Sequence, residues 1–218
     1  MIISESTKSL EEKVYLLLEE AIISGEYKRG DALTEMSLSK KLSASRTPIR
    51  SALHRLSEDG LVKITPNRGA IVVGMNDEDL ADIYRIRVRL EGLASAMAAE
   101  RISREDLKRL EETVELSEFY LLKNDTEKLK ELDTHFHAII YEASGSRTLS
   151  KLLSDLHRNI RSYRKLSLTV PGRLERSISE HKKILRAISS GDVSLADKTT
   201  SEHIENAMNN MVIAMKGR

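Results

Sequence analysis

The sequence predicts a mainly α-helical protein: an N-terminal winged helix-turn-helix followed by an all-α antiparallel six-helix bundle. Three observations carry this. Only 10 Gly and 3 Pro occur among 218 residues, and Trp is absent, so helix breakers and strand-favouring aromatics are scarce. Apolar residues recur at helical spacing over most of the chain. The one run of β-rich segments, Leu61–Thr65 and Ala70–Val73, is joined by a Pro-Asn-Arg-Gly turn signal.

The first 75 residues read as one domain. Leu10, Val14, Leu17, Leu18, Ala21 and Ile22 share one helical face, which Gly25 ends. Thr34 is placed to cap a short helix over Glu35–Leu42. After a tight Ser-Ala-Ser turn, a helix runs from about Arg46 to Glu58. Pro48 sits in its first turn, where a missing N–H costs little, and Gly60 stops it. The β-rich pair follows as the wing.

Residues 76–218 show helical patterning alone. Asp77–Arg101 turns Leu80, Ile83, Tyr84, Arg87, Leu90, Glu91, Ala94 and Met97 to one face. Ser103 and Asp106 form a capping-box pattern for a helix ending near Lys123. Asp125 caps a third, which Gly145 breaks. A fourth is expected over 147–168, a fifth over Arg173–Ser190, and a sixth from Gly191-Asp192 to about Met215. Short connections make neighbouring helices antiparallel.

Composition narrows the function. There are no cysteines, so disulfides and thiolate metal sites are excluded, and any metal must sit on histidines and carboxylates. Charged residues are 32% and hydrophobic residues 40%, the balance of a globular protein. No apolar run approaches the roughly 20 residues of a membrane span. The N-terminal stretch lacks a basic segment followed by an apolar one, so a cytoplasmic protein without membrane partners is expected.

The net charge of +1 conceals one basic block. Residues 40–68 hold seven basic side chains (Lys40, Lys41, Arg46, Arg50, Arg55, Lys63, Arg68) against Glu58 and Asp59. Such a block is the footprint of a phosphate-binding surface. Within it, Ser45-Arg46-Thr47-Pro48-Ile49-Arg50 opens the second helix of the turn, the end that enters a major groove. Arg46 and Arg50 are four apart and share a face, and an arginine reads guanine O6 and N7 bidentately. Ser45 and Thr47 suit a phosphate oxygen beside free N–H groups. Ile49, Leu53 and Leu56 should face inward. Arg68 and Gly69, at the wing tip, are placed to reach the backbone or minor groove.

These residues resemble the DNA-binding domain of GntR-family bacterial transcription regulators. The matching elements are Leu33-x-Glu35, Ser45-Arg46-Thr47-Pro48-x-Arg50-x-Ala52-Leu53, Leu56-x-x-x-Gly60-Leu61-Val62 and Arg68-Gly69. The resemblance covers about residues 10–74. It implies DNA contacts by Ser45, Arg46, Thr47 and Arg50, with Arg68 and Gly69 at the wing. Met36 departs from the pattern, standing where FadR-like members carry a DNA-contacting arginine. Ser51 replaces the usual glutamate.

In the bundle, Asp133 and His137 are i and i+4 and can grip one ion from one helix face. His181 and His203 come from the fifth and sixth helices. Spacing alone leaves these open between metal ligands and buried packing residues. His135 is expected on the surface, and packing is the better reading of His157. Glu180 and Glu202 adjoin ligand candidates and are expected to point elsewhere.

Leu132-Asp133-x-x-Phe136-His137, Ser144-Gly145, Glu180-His181-x-x-Ile184-Leu185, Gly191-Asp192 and His203 resemble the FCD effector domain of the FadR subfamily, over about residues 78–215. Six expected helices resemble its VanR-like group. The resemblance implies a divalent metal, Zn²⁺ or Ni²⁺, on Asp133, His137, His181 and His203. It also implies a small organic acid effector held through its carboxylate.

Arg87 and Arg164 are placed as cationic partners for that carboxylate, and Asn206, one turn beyond His203, as a further contact. The function expected is a ligand-responsive transcription repressor binding a palindromic operator as a homodimer, not an enzyme. A metal-responsive sensor and a metal-dependent hydrolase are the alternatives.

Overall fold

A computed structural model describes residues 9–65, 69–75, 77–168 and 170–216. The chain forms two compact units. One runs to Glu78 and takes in Arg158–Ser162; the other comprises Asp79–His157 and the chain from Tyr163.

The first unit is a winged helix-turn-helix. Its elements are α1 (Leu10–Ile23), β1 (Ala32–Leu33), α2 (Glu35–Leu42), α3 (Arg46–Glu58), β2 (Val62–Thr65) and β3 (Gly69–Val72). Ser9 caps α1 and Thr34 caps α2, each side chain accepting a backbone N–H of the first turn. Val14, Tyr15 and Leu18 of α1 meet Ile49, Leu53 and Leu56 of α3 in the core, all nearly inaccessible to water. Ser43 ends α2 in the left-handed conformation, which makes the tight turn into α3.

The sheet order is β1-β3-β2, all antiparallel, with Leu33 opposite Ala70 and Ile64 opposite Ala70 on the other side. The strand β1 has no sequence signature because it is two residues long. Pro66, Asn67 and Arg68 lie outside the described residues, and with them the expected contact by Arg68.

The second unit is helical: α4 (Asp77–Arg101), α5 (Arg104–Leu122), α6 (Thr126–Ala143), α7 (Arg147–Asn159), α8 (Arg161–Leu168), α9 (Arg173–Ser189) and α10 (Val193–Lys216). The helix expected over 147–168 is two helices, so among the described residues the bundle holds seven helices rather than six. The basis for the likeness to the VanR-like group goes with that count. The apolar period runs unbroken through Leu149, Leu153, Ile160 and Tyr163, all buried, so periodicity does not mark the break. It falls at Asn159-Ile160, two weak helix formers. There Arg161 Nη1 lies 3.2 Å from Asp59 Oδ1, within the first unit.

Phe136, Ile139, Ile140, Leu153, Ile184 and Ile188 form the centre of the helical core. Helices α4 and α10 approach closely at small residues. Thr200 Oγ1 donates to Ser95 Oγ at 2.7 Å, and Ser201 Oγ donates to the Val88 carbonyl at 3.0 Å. This approach fixes the inward face of α4 against the histidine of α10.

Candidate functional site

The N-terminus of α3 is open to solvent. Ser45 is its N-cap in extended backbone, and its side chain makes no capping bond. Ser45, Arg46, Thr47 and Arg50 are all exposed. The first-turn N–H groups of a helix attract anions, so this end suits a phosphate. Arg50 is not solitary. Its Nε donates to Glu35 Oε1 at 2.6 Å and its Nη2 to Glu35 Oε2 at 2.9 Å. Through that bonding, Arg50 holds the Glu35 carboxyl below its ordinary range.

Gly69 has a packing reason of its own. Its φ is +82°, and a Cβ there would stand 2.5 Å from the Leu33 carbonyl oxygen, so only glycine lets β1 pair with β3.

Helices α6, α9 and α10 bring Asp133, His137, His181 and His203 together. One ligand atom from each lies within 4.8 Å of all the others. The three histidines are buried and Asp133 nearly so. His203 Nδ1 stands 2.6 Å from Glu180 Oε2, and His137 Nδ1 stands 2.9 Å from Glu91 Oε2, the latter off the hydrogen-bond line. A carboxylate beside Nδ1 keeps the proton there and leaves Nε2 as a lone pair. The two Nε2 atoms then face each other at 3.3 Å.

Two bare lone pairs at that distance repel. Two nitrogens bound 2.0–2.1 Å from a tetrahedral ion would stand about 3.3–3.4 Å apart, so the spacing fits a shared cation. His181 Nε2 is buried without a hydrogen-bond partner, 3.6 Å from Asp133 Oδ1. Phe136 stacks on its ring at 3.9 Å and fixes its plane. Asp133, His137, His181 and His203 therefore form a cluster that could hold a metal ion.

Charge prepares these ligands. Burial pushes His181 well below the ordinary histidine value. Burial also lowers His203, although Glu180 opposes it. Both are therefore neutral and ready to ligate at neutral pH. Burial works against ionised Asp133, but the Arg164 guanidinium beside it outweighs this and keeps the carboxyl below its usual range. Arg164 pairs with Asp133 Oδ2 and also meets His157 Nε2, while Asp133 Oδ1 faces His181.

Arg87 is 1% exposed and pairs with Glu91 at 2.6 Å. It lines a cavity of about 20 Å³ together with Asp133, His137, Arg164, Arg173 and His203. That space admits about one water-sized group.

Several residues differ from expectation. Asn206 is exposed and donates to Glu180 Oε1 at 2.9 Å, supporting the carboxylate that holds His203; it is not among the cavity residues. Glu180 reaches inward, because one turn of α9 sets it beside His203 rather than beside its neighbour His181. Arg173 is buried, pairs with Glu180 at 2.6 Å and lines the cavity. It sits just past the Pro-Gly break and carries no periodic signal. His157 joins the site edge through Tyr141, whose hydroxyl is 3.1 Å from its Nδ1. His135 is exposed, as expected.

A winged helix with an open, basic recognition-helix end, carried with a helical domain bearing a buried ligand cluster, defines a DNA-binding transcription regulator. Residues 10–72 match the bacterial regulatory proteins of the gntR family, and residues 82–206 match the FCD domain. The HTH-type transcriptional regulator YdhC of Bacillus subtilis is 32% identical over 176 residues, 80% of this chain and 78% of its own. The HTH-type transcriptional repressor RspR of Escherichia coli is 22% identical over 199 residues, 91% of this chain and 87% of its own.

Among solved structures, Escherichia coli McbR/YncC superposes with a TM-score of 0.65 at 26% identity, covering 97% of this chain and 99% of that one. The chain belongs to the GntR family of bacterial transcription regulators and carries an FCD domain. It is a DNA-binding regulator, not an enzyme. Among the described residues, no helix is long and apolar enough to cross a membrane.

Proposed function

We propose that this regulator is a ligand-responsive repressor that binds a palindromic operator as a dimer. Ser45, Arg46, Thr47 and Arg50 meet the DNA in this reading, with the wing beside them. Asp133, His137, His181 and His203 hold a divalent ion, Zn²⁺ or Ni²⁺. A bound ion supplies a positive anchor for the carboxylate of a small organic acid, which the cavity arginines orient. The observation that carries the metal site is the pair of Nε2 atoms 3.3 Å apart, both backed by carboxylates. The name of RspR supports repression.

Effector and operator are coupled if the acid binds the DNA-competent and DNA-incompetent forms unequally. Metal content by mass spectrometry tests the site. About one equivalent is expected in the wild type and none in a folded His181→Ala variant. Equal metal in both, or none after incubation with Zn²⁺ and Ni²⁺, overturns the metal reading. Footprinting on genomic fragments tests the rest: a symmetric protected site, lost in Arg46→Ala, is expected.

A further inference from the structure

Helix α3 buries Ile49, Ala52, Leu53 and Leu56. Its opposite face carries Thr47, Arg50 and His54, spaced three and four residues apart and all exposed. Thr47 and Arg50 are among the proposed DNA contacts. His54 is a titratable group on the same face that those contacts do not use. Its charge is felt by the same neighbour. The Glu35 carboxyl of α2 is held low first by its bonds to Arg50 and then, against some loss of water, by the charges of Arg50, Arg46 and His54.

Distance along the helix decides what His54 can meet. It lies eight residues beyond Arg46, which is about 12 Å at 1.5 Å per residue. The major groove is about 12 Å wide and 8.5 Å deep. A recognition helix leads with its N-terminus. With Arg46 at the base edges, His54 therefore stands at the rim of the groove, where the phosphates are.

A neutral imidazole does not neutralise a phosphate. An imidazolium does, donating N–H from either ring nitrogen. Imidazole is also the side chain whose charge changes between pH 5 and 8. The charges around His54 are mixed. Glu35 of α2 and Glu58, one turn further along α3, favour the cation, while Arg46 and Arg50 oppose it. A phosphate joins the favouring side only when DNA is bound.

We propose that His54 is a further DNA contact, its protonated imidazole set against a backbone phosphate, so that DNA binding takes up a proton at each recognition helix. This rests on the DNA-facing reading of α3. It carries a consequence that the reading lacks. Proton and DNA must strengthen each other's binding by the same factor.

The test uses the full-length protein and a duplex that it selects from a random-sequence pool at pH 7. Fluorescence anisotropy gives the dissociation constant at pH 6 and pH 8 for wild type and His54→Gln. Comparison with the variant removes the contribution of the other histidines. The rise from pH 6 to pH 8 should be at least fivefold larger for wild type. The log–log salt slope of the wild type should be steeper at pH 6 than at pH 8, by about 0.9 per chain. In His54→Gln it should be the same at both. His54→Arg, a permanent cation, should keep tight binding at pH 8. Since His54 is exposed, the variants should melt as the wild type does.

An equal rise in wild type and His54→Gln overturns the proposal. So does a loss of affinity in His54→Gln that is the same at both pH values, because the contact would then be made by neutral imidazole. Selection of no duplex by the wild type, or equal binding of it by Arg46→Ala, overturns the DNA-facing reading of α3 itself.

Discussion

The Arg50 guanidinium meets the Glu35 carboxylate along its side edge, Nε to Oε1 and Nη2 to Oε2, at 2.6 and 2.9 Å. The pair joins the first turn of α2 to the first turns of α3. Arg50 stays 63% exposed and Glu35 27%. An ion pair this open contributes little to stability. What it does is orient. With the side edge occupied, the terminal fork of Nη1 and Nη2 remains open, and in the proposed DNA-bound state it would meet a guanine with its direction already set.

Glu35→Ala should therefore leave the melting temperature nearly unchanged and lower discrimination between operator and competitor DNA by about tenfold. Non-specific affinity should rise, because a negative charge facing phosphate is removed. Fluorescence anisotropy on both DNAs, at two salt concentrations, reads this. A uniform fall on both would show Glu35 to be a phosphate-side support instead.

Gly69→Ala should destabilise the wing. The new Cβ meets the Leu33 carbonyl, a backbone atom that cannot turn aside, and φ is in the left-handed region. A cost of about 1–3 kcal/mol is expected. Urea unfolding checks it, and a melting point equal to wild type would contradict the close β1–β3 approach.

Arg87→Met leaves Glu91 charged and buried without its guanidinium, which costs about 3–5 kcal/mol. Arg87→Met with Glu91→Leu should recover much of that loss, because no uncompensated charge remains. The coupling appears in a double-mutant cycle of unfolding free energies. Simple additivity would mean the two residues do not act as a pair.

Stability of the metal-free protein should fall in acid. Burial pushes His157, His181 and His203 below the ordinary histidine value. Above about pH 6.5 they are neutral in both folded and unfolded chains, and their effect is nil. Below it the unfolded chain takes up protons that the folded one refuses. Each histidine then costs about 1.4 kcal/mol per pH unit until its own folded value is reached. Glu91 and Asp133, held low, add a further loss as pH falls past about 4. Thermal melts from pH 8 to pH 5 after chelation should show the decline, and a flat profile would contradict it.

Much of this protein is legible from residue order. The caps at Thr34, Ser103 and Asp125, the inward face of α4 and the exposed N-terminus of α3 follow from local chemistry, and each is present. The i, i+4 pair Asp133 and His137 was readable as one helix face. Their meeting with His181 and His203 rested on resemblance, because nothing local links three separate helices.

Glu180 shows where local reasoning stops. Its position next to His181 argued that it points away, and on α9 it does point away from His181. Only the packing of α10 against α9 brings His203 Nδ1 to its carboxylate. Arg173 and the break at Ile160 are of the same kind. A helical period is a property of one segment, and it continued without a fault through Ile160.

The sequence by itself determined most of the helices, the winged domain and the exposed basic end of α3, because caps, periods and charges act over a few residues. The tertiary structure decided which buried charges pair and which nitrogens are left bare. Those outcomes depend on distances of about 3 Å between helices far apart in the chain, where the loss of water makes every unpaired charge count.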